Sequence, residues 1–181
     1  TLTALLSSQH DVVGIVSNPP KPMGRGRKLK STAIGQFAKE NDLNLLQSLT
    51  LKSDELHNQL SVLNPDIFVV VAFQILPKSL IDLPKFGALN LHASLLPKYR
   101  GAAPIQHSLI NGDKVTGLTT FIIESKVDAG GILLQKEVPI NIEDNFGTLS
   151  EKMANESGEL VLESIKKIEK RDKPIPQNNF E

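Results

Sequence analysis

An unbroken run of seven apolar residues, 67–73, most narrows the folds that this chain can adopt. The run reads IFVVVAF, and its valine content favours a β-strand. A strand that is apolar at every position has to be covered on both faces, as strands are at the centre of a parallel sheet. We therefore predict a buried, central parallel strand at residues 67–73.

Shorter elements alternate along the rest of the chain. Strands are predicted at residues 12–16, 43–46 and 88–92, and two further β-rich segments span residues 116–123 and 132–138. Helices are predicted to start at Ser31 and Ser53, to span residues 77–83 and 105–110, and to start again at Thr148, where Glu151 completes a capping box. Residues 18–31 are predicted to be a long loop. This alternation predicts an α/β, Rossmann-like fold, with a mostly parallel sheet and helices on both faces.

The two ends of the sequence suggest where the domain lies. The chain starts at Thr1 with a helix-like stretch and no strand before it, so we expect the sheet to be truncated at its N-terminal strand. Residues 1–170 are predicted to form one domain. The last eleven residues, 171–181, are polar with two prolines and predict the start of a linker.

Charge and cysteine content exclude several classes of protein. The chain has 20 basic and 20 acidic side chains, so no overall field directs it toward nucleic acid or a membrane surface. It has no cysteine, which excludes disulfides and thiolate metal sites and fits a reducing compartment. No apolar run approaches the roughly 20 residues that a transmembrane helix needs. We expect a cytoplasmic monomer with no metal and no membrane partner.

The predicted strand at residues 88–92 carries two polar side chains at alternate positions. Asn90 and His92 point to one face of that strand, and Leu89 and Leu91 point to the other. They lie at its carboxyl end, where open α/β sheets bind ligands. An amide donor beside an imidazole suits acyl transfer, which needs donors for a developing oxyanion and a group that moves a proton. The alternative is an edge strand whose polar face meets water, and short motifs match by chance often enough to favour it.

Asp128 lies in the sequence VDAGG, between the two β-rich segments. A carboxylate in this turn is able to hold and polarise an imidazole. Asp also starts turns by bonding its own backbone, and by itself Asp128 is more simply a turn residue.

The segment from Asn90 to Gln106, NLHASLLPKYRGAAPIQ, closely resembles the signature of enzymes that transfer formyl from 10-formyltetrahydrofolate. The family pattern is Asn-x-His, then Ser-Leu-Leu-Pro, then a distant Asp followed by Gly, and each part is present in order. The resemblance implies that Asn90, His92 and Asp128 are the catalytic set. It also implies a cis bond between Leu96 and Pro97.

Two further motifs resemble the methionyl-tRNA formyltransferases in particular. One is GAAPIQ at residues 101–106, and the other is PPKPMGRGRKL at residues 19–29. The second belongs to a basic loop without acidic residues, and its glycines would let the backbone approach a sugar-phosphate chain. The implied tRNA contacts are Lys21, Arg25, Arg27, Lys28 and Lys30. The alternative is a solvated, mobile surface loop, which most charge runs are.

The family resemblance also implies a folate pocket beneath the strand that ends near residue 73. The candidate folate contacts are Phe73, Gln74, Ile75, Leu76, Ser94, Leu95, Leu96 and Pro97. Many relatives have Tyr-Gly at this turn, whereas here Phe73 is followed directly by Gln74, which leaves the pterin contacts open. Ile75 and Leu76 are equally well explained as core residues.

The function implied by the resemblance is formyl transfer from 10-formyltetrahydrofolate to the amino group of initiator methionyl-tRNA, in translation initiation. Residues 1–170 would be the catalytic domain, and residues 171–181 would lead to an absent C-terminal barrel that grips the tRNA. We expect these 181 residues alone to turn over poorly. The alternatives are a formyltransferase acting on an amino sugar nucleotide or on glycinamide ribonucleotide, and a non-catalytic folate- or RNA-binding domain.

Overall fold

The computed structural model describes residues 1–23 and 28–177. Its strands are β1 (Ile15–Ser17), β2 (Lys21–Met23), β3 (Lys28–Lys30), β4 (Leu45–Gln47), β5 (Phe68–Val71), β6 (Ala88–His92), β7 (Val115–Ile122) and β8 (Ile132–Pro139). Its helices are α1 (Leu2–Leu6), α2 (Ala33–Glu40), α3 (Asp54–Leu63), α4 (Lys78–Ile81), α5 (Pro104–Ile110) and α6 (Phe146–Glu169). No described helix is long and apolar enough to cross a lipid bilayer.

The strands form one larger sheet and two pairs. The four-stranded sheet has the order β5-β6-β7-β8, in which β5 and β6 are parallel and β7 and β8 continue antiparallel. Strands β1 and β4 pair in parallel, and β2 and β3 form an antiparallel hairpin. A helix lies between each pair of consecutive strands from β3 to β7. The predicted α/β, Rossmann-like class is confirmed.

Apolar packing covers both faces of β5. Val69 packs against a core that α6 completes through Leu149 and Val161, both 0% exposed. Its neighbour Phe68, on the opposite face, packs against a second core that contains Leu56 and Leu60 of α3. Helices therefore lie on both sides of β5, as the alternation of elements predicts.

The prediction that residues 67–73 form a central strand is wrong for the part of the chain that the structure describes. The strand β5 ends the four-stranded order, and Val71 is 41% exposed, whereas Val70 is 9% exposed. An apolar run indicates that side chains avoid water, but it does not say how many strands pair with it. Near Phe68, both faces of β5 pack against apolar side chains. One edge of β5 has no hydrogen-bonded partner strand among the described residues.

The predicted loop at residues 18–31 includes two paired strands, β2 and β3, in its described part. Lys21 pairs with Lys30, and Met23 pairs with Lys28. The following helix is capped by Thr32, not by Ser31, because the Thr32 hydroxyl accepts a hydrogen bond from Gly35 N at 3.0 Å. Proline and glycine content predicted a loop, but such residues also suit a short ribbon.

The long C-terminal helix begins earlier than the predicted Thr148. Asn145 is the N-cap, and its side chain accepts hydrogen bonds from the backbone of Gly147 and Thr148 at 2.9 and 3.3 Å. The Thr148 hydroxyl in turn accepts from Asn145 N at 3.0 Å, which completes a capping box. Thr148 is thus the third helical residue of the box, and Glu151 is not part of it.

The segment after α6 lies against the domain as far as Gln177. Ile175 and Ile132 exchange two backbone hydrogen bonds of 2.8 Å, which extends the β8 edge by one bridge. A polar, proline-containing composition predicts a lack of regular structure, not a lack of contact. Residues 178–181 lie outside the described chain. The domain boundary at residue 170 remains a prediction.

Candidate active site

Strand β6 presents the first two predicted catalytic residues inside the sheet. It is hydrogen-bonded on both sides, so that Asn90 lies between Val70 of β5 and Phe121 of β7, and His92 is opposite Thr119. The alternative in which this segment is an edge strand is therefore wrong. Alternation along β6 buries Leu89 and Leu91 in the core and leaves the other face for the polar pair.

The imidazole of His92 is nearly enclosed, with the residue 8% exposed. Its Nε2 lies 2.8 Å from the carbonyl oxygen of Tyr99. A carbonyl only accepts hydrogen bonds, so Nε2 carries a proton and donates it to this bond. The other ring nitrogen, Nδ1, lies 3.7 Å from Oδ2 of Asp128. That distance is within reach of an ion pair but is too long for a hydrogen bond.

Asp128 reaches the site from a distant part of the chain. Its side chain is 13% exposed, and Oδ2 accepts a hydrogen bond of 2.8 Å from Gly101 N, in the loop after β6. Its backbone is left-handed, with φ of 48°. The carboxylate therefore does more than initiate a turn: it joins the 128–131 turn to the 98–101 loop beside His92.

The turn that carries Asp128 is packed tightly against the end of β7. A Cβ atom on Gly130 would overlap the carbonyl oxygen of Ile122 and would lie 3.3 Å from the ring of Phe121. Only glycine fits this position, because its backbone lies directly on the neighbouring strand. Phe121 is also the strand partner of Asn90, so one buried ring supports both sides of the site.

The Asn90 side chain is half-buried and makes no hydrogen bond to another described residue. A carboxamide at the carboxyl end of an internal strand, with its donors unused, is available to a ligand oxygen. The site thus has a free amide donor from Asn90 and the proton-carrying imidazole of His92 beside the carboxylate of Asp128. Such a combination suits addition to a carbonyl.

A buried network holds the loop after β6. The Thr119 hydroxyl donates to Ser94 O at 2.6 Å and accepts from Leu96 N at 3.0 Å, and Gln135 donates to Leu96 O at 2.9 Å. The Leu96–Pro97 peptide is cis, as the family resemblance implies. Sequence reasoning missed Thr119 and Gln135, since nothing in their own segments links them to a loop 23 or more residues away.

The eight candidate folate residues do not all line one cavity. Leu95 and Pro97 line a cleft of about 530 Å³ together with Tyr99. None of residues 73–76 lines this cleft. Ser94 is fully buried, and its hydroxyl donates to Lys98 O at 2.6 Å, so it shapes its own loop. Leu96 is 3% exposed and faces the interior. We expect these two residues to support the site rather than to line it.

The segment after β5 is divided between core and surface. Phe73 and Leu76 pack against the core that contains α3, which fits the core alternative for Leu76. Ile75 is 78% exposed, so the core alternative is wrong for that residue. The Gln74 side chain donates to Oδ1 of Asn18 at 2.6 Å. Ile75 is therefore the apolar side chain of this segment that is free to meet a ligand.

The predicted tRNA contacts lie on the β2–β3 hairpin as far as it is described. Lys21, Lys28 and Lys30 are exposed, and none forms an ion pair with another described residue. Lys21 and Lys30 are direct cross-strand partners, a like-charge pairing that costs stability. Arg25 and Arg27 lie outside the described residues.

The sequence matches the formyl transferase family over residues 1–165. Among curated proteins, it is 50% identical over 171 residues to the methionyl-tRNA formyltransferase of Thermodesulfovibrio yellowstonii, covering 94% of this chain and 56% of that protein. It is 41% identical to the methionyl-tRNA formyltransferase of Alkaliphilus oremlandii, covering 99% of this chain and 59% of that protein. The chain thus spans little more than half the length of these relatives.

Solved structures share the fold at lower sequence identity. Phosphoribosylglycinamide formyltransferase from Bacillus halodurans superposes with a TM-score of 0.76 at 22% identity, covering 92% of this chain and 88% of that one. The formyltransferase PseJ from Anoxybacillus kamchatkensis gives a TM-score of 0.63 at 24% identity, covering 92% of this chain and 82% of that one. The family match spans nearly all of the described domain, including Asn90, His92 and Asp128, and the chain belongs to the formyl transferase family.

Proposed function

We propose that this chain is the folate-dependent catalytic domain of an enzyme that transfers formyl from 10-formyltetrahydrofolate to the amino group of initiator methionyl-tRNA. The observation that carries the proposal is the convergence of Asn90, His92 and Asp128 from β6 and a distant turn. The methionyl-tRNA formyltransferases identified above favour this acceptor over a nucleotide. A chain without cysteine suits an enzyme of a reducing compartment such as the cytoplasm.

The described residues fit a bound formyl donor. The free carboxamide of Asn90 lies within β6, and the exposed side chain of Ile75 follows the neighbouring parallel strand β5. Such folds bind ligands at the carboxyl ends of these strands. PseJ was crystallised with tetrahydrofolate, and so was HypX from Aquifex aeolicus, which shares the fold at a TM-score of 0.64. We infer that the folate contacts include Gln74 and Ile75, with Leu95 and Pro97 on the adjoining loop, and that Phe73 and Leu76 support this segment from the core.

The folate, when bound, supplies the formyl group on its N10 atom. In the net reaction a bond forms between the acceptor nitrogen and the formyl carbon, the bond from that carbon to N10 breaks, and one proton passes from the acceptor nitrogen to N10. Negative charge develops on the formyl oxygen, and Asn90 donates a hydrogen bond to it. A donor of this kind contributes roughly 10²–10³-fold to the rate.

His92 and Asp128 handle the proton. Since the Nε2 proton is held by Tyr99 O, Nδ1 is the ring nitrogen left to exchange a proton with the substrates. In the imidazolium form, Nδ1–H adds a charge-assisted donor beside the reacting oxygen. The Asp128 carboxylate, 3.7 Å away, stabilises the positive ring and accepts the proton in passage. Gly101 N keeps that carboxylate in place through its 2.8 Å bond.

The acceptor is tested by offering three amines to the whole protein together with 10-formyltetrahydrofolate. We expect initiator methionyl-tRNA to be formylated far faster than a uridine diphosphate amino sugar or glycinamide ribonucleotide. Faster transfer to either small acceptor would replace the proposed substrate, while the site assignment would stand. Folate or RNA binding without transfer to any acceptor would identify a binding domain and overturn the proposal.

Substituting the hairpin lysines is expected to weaken tRNA binding in a salt-dependent manner. Lys21→Gln combined with Lys28→Gln removes two exposed charges that are free to contact phosphates. Each lost contact should reduce the steepness of the plot of log association constant against log salt concentration by about 1. The measurement is a titration of labelled tRNA at several salt concentrations. Lys52→Gln, at another exposed lysine, is the matched control. An unchanged slope in the double variant would contradict tRNA contact by the hairpin.

A further inference from the structure

The segment after α6 ends on the turn that carries Asp128. Gln177 is half-buried there, and its carboxamide makes four hydrogen bonds. Its Oε1 accepts from Nη2 and Nε of Arg100 at 2.7 and 3.1 Å. Its Nε2 donates to the carbonyl oxygens of Asp128 and Gly130 at 3.0 and 2.8 Å.

The partners determine which way this carboxamide faces. A guanidinium group only donates, and backbone carbonyls only accept, so the oxygen must face Arg100 and the nitrogen must face the turn. All of the hydrogen-bonding groups of this side chain are therefore matched to one arrangement. A carboxylate of the same size would still accept from Arg100, but it would place an oxygen against two carbonyl oxygens.

These bonds close a ring around the catalytic carboxylate. Arg100 precedes Gly101, whose N–H donates to Oδ2 of Asp128 at 2.8 Å. Gln177 therefore joins the 100–101 loop to the 128–130 turn on the backbone side, while Asp128 joins them through its side chain. Both links hold the turn that carries this carboxylate against the loop beside His92.

The approach of the segment to the turn is also built into the fold. Ile175 is bonded in both directions to Ile132 at 2.8 Å. A Cβ atom on Gly131 would lie 2.6 Å from Cβ of Pro174, so the absence of a side chain there lets the segment come this close. Gln177 follows two residues after the Ile175 bridge and is directed onto the turn.

We propose that Gln177 is a positioning residue for the transfer reaction. Through its bonds to Arg100 and to the 128–130 turn, Gln177 holds the Asp128 carboxylate beside His92. The inference rests on the proposed function. It gives the segment after α6 a part in the active site that its composition does not indicate. Gln177 does not touch the reacting atoms in this arrangement, and its effect is on geometry.

Two substitutions in the whole protein separate the parts of this bridge. Gln177→Met keeps a similar volume and removes all four hydrogen bonds, whereas Gln177→Glu keeps the acceptor for Arg100 and removes both donors to the turn. Misplacing a catalytic group by about 1 Å costs roughly 10²-fold in rate, and we expect a fall in kcat of that order for both variants. The KM values for folate and acceptor should stay unchanged. Lys173→Ala, exposed on the same segment, is the control.

A double-mutant cycle tests whether the effect passes through the carboxylate. In an Asp128→Ala background, Gln177→Met should lower kcat no further, because the group that it positions is gone. Additive losses would overturn the proposal. So would kcat values for both Gln177 variants equal to that of the Lys173→Ala control.

Amide hydrogen exchange of Gly101 gives a readout that does not need activity. Exchange at this N–H should be faster in Gln177→Met and in Gln177→Glu than in the control, and unchanged exchange would overturn the proposal. Faster exchange in a protein that transfers no formyl group would support the bridge and refute the proposed function. Thermal unfolding of each variant identifies any loss of activity that is caused by destabilisation of the whole domain.

Discussion

His92→Ala is expected to lower formyl transfer by about 10²–10⁴-fold, the usual contribution of a positioned acid or base. The substitution removes the imidazole that lies between the Tyr99 carbonyl, at 2.8 Å, and the Asp128 carboxylate, at 3.7 Å. The measurement is kcat with initiator methionyl-tRNA as acceptor. Circular dichroism and thermal unfolding should show that the variant still folds.

A matched substitution at another histidine tests whether the loss of activity is specific to the His92 imidazole. His57→Ala, on α3 and far along the chain from the site, should leave kcat unchanged. Asn90→Ala should cost roughly 10²–10³-fold through the lost oxyanion donor. If either active-site variant kept more than a tenth of the wild-type turnover, the catalytic assignment would be wrong.

Phe121→Ala is expected to lower the free energy of unfolding by about 3–5 kcal/mol, the usual cost of removing a buried phenyl ring. Phe121 is 1% exposed, pairs with Asn90 across β6 and β7, and lies under Gly130 of the Asp128 turn. The cavity would therefore open beneath both halves of the site. Urea denaturation followed by circular dichroism measures the change.

The control for this core substitution is Ile142→Ala. Ile142 is 98% exposed, so its truncation should change stability by less than about 0.5 kcal/mol. A loss below 1 kcal/mol in Phe121→Ala would mean that the ring is not part of a close-packed core. We also expect the folded fraction of Phe121→Ala to transfer formyl more slowly than the control, because Asn90 and Asp128 both lose support.

Some of the site follows directly from local chemistry. Alternation along residues 88–92 is sufficient to place Asn90 and His92 on one face and to bury Leu89 and Leu91, because successive side chains of any strand point in opposite directions. The family signature then predicted Asp128 as the third member. The structure brings it within 3.7 Å of His92, although 36 positions separate the two residues in the sequence.

Other features depend on pairing choices that no local pattern encodes. An apolar run at residues 67–73 fits a central or an end strand equally well. Among residues 1–23 and 28–177, β5 lies at the end of its sheet. Thr119 and Gln135 are ordinary strand residues until the antiparallel arrangement of β7 and β8 brings them under the loop at Leu96. Their role depends on the register between strands.

The sequence alone determined the class of fold, the residues of β6 and the chemistry that they make available, because helix and strand periodicities and family motifs are local properties. Only the tertiary structure decided which distant groups share one site. The Asp128 bond to Gly101 and the four bonds of Gln177 each join segments 27 or more positions apart. Such contacts arise from the packing of whole elements, and the residues that make them are polar side chains of ordinary type.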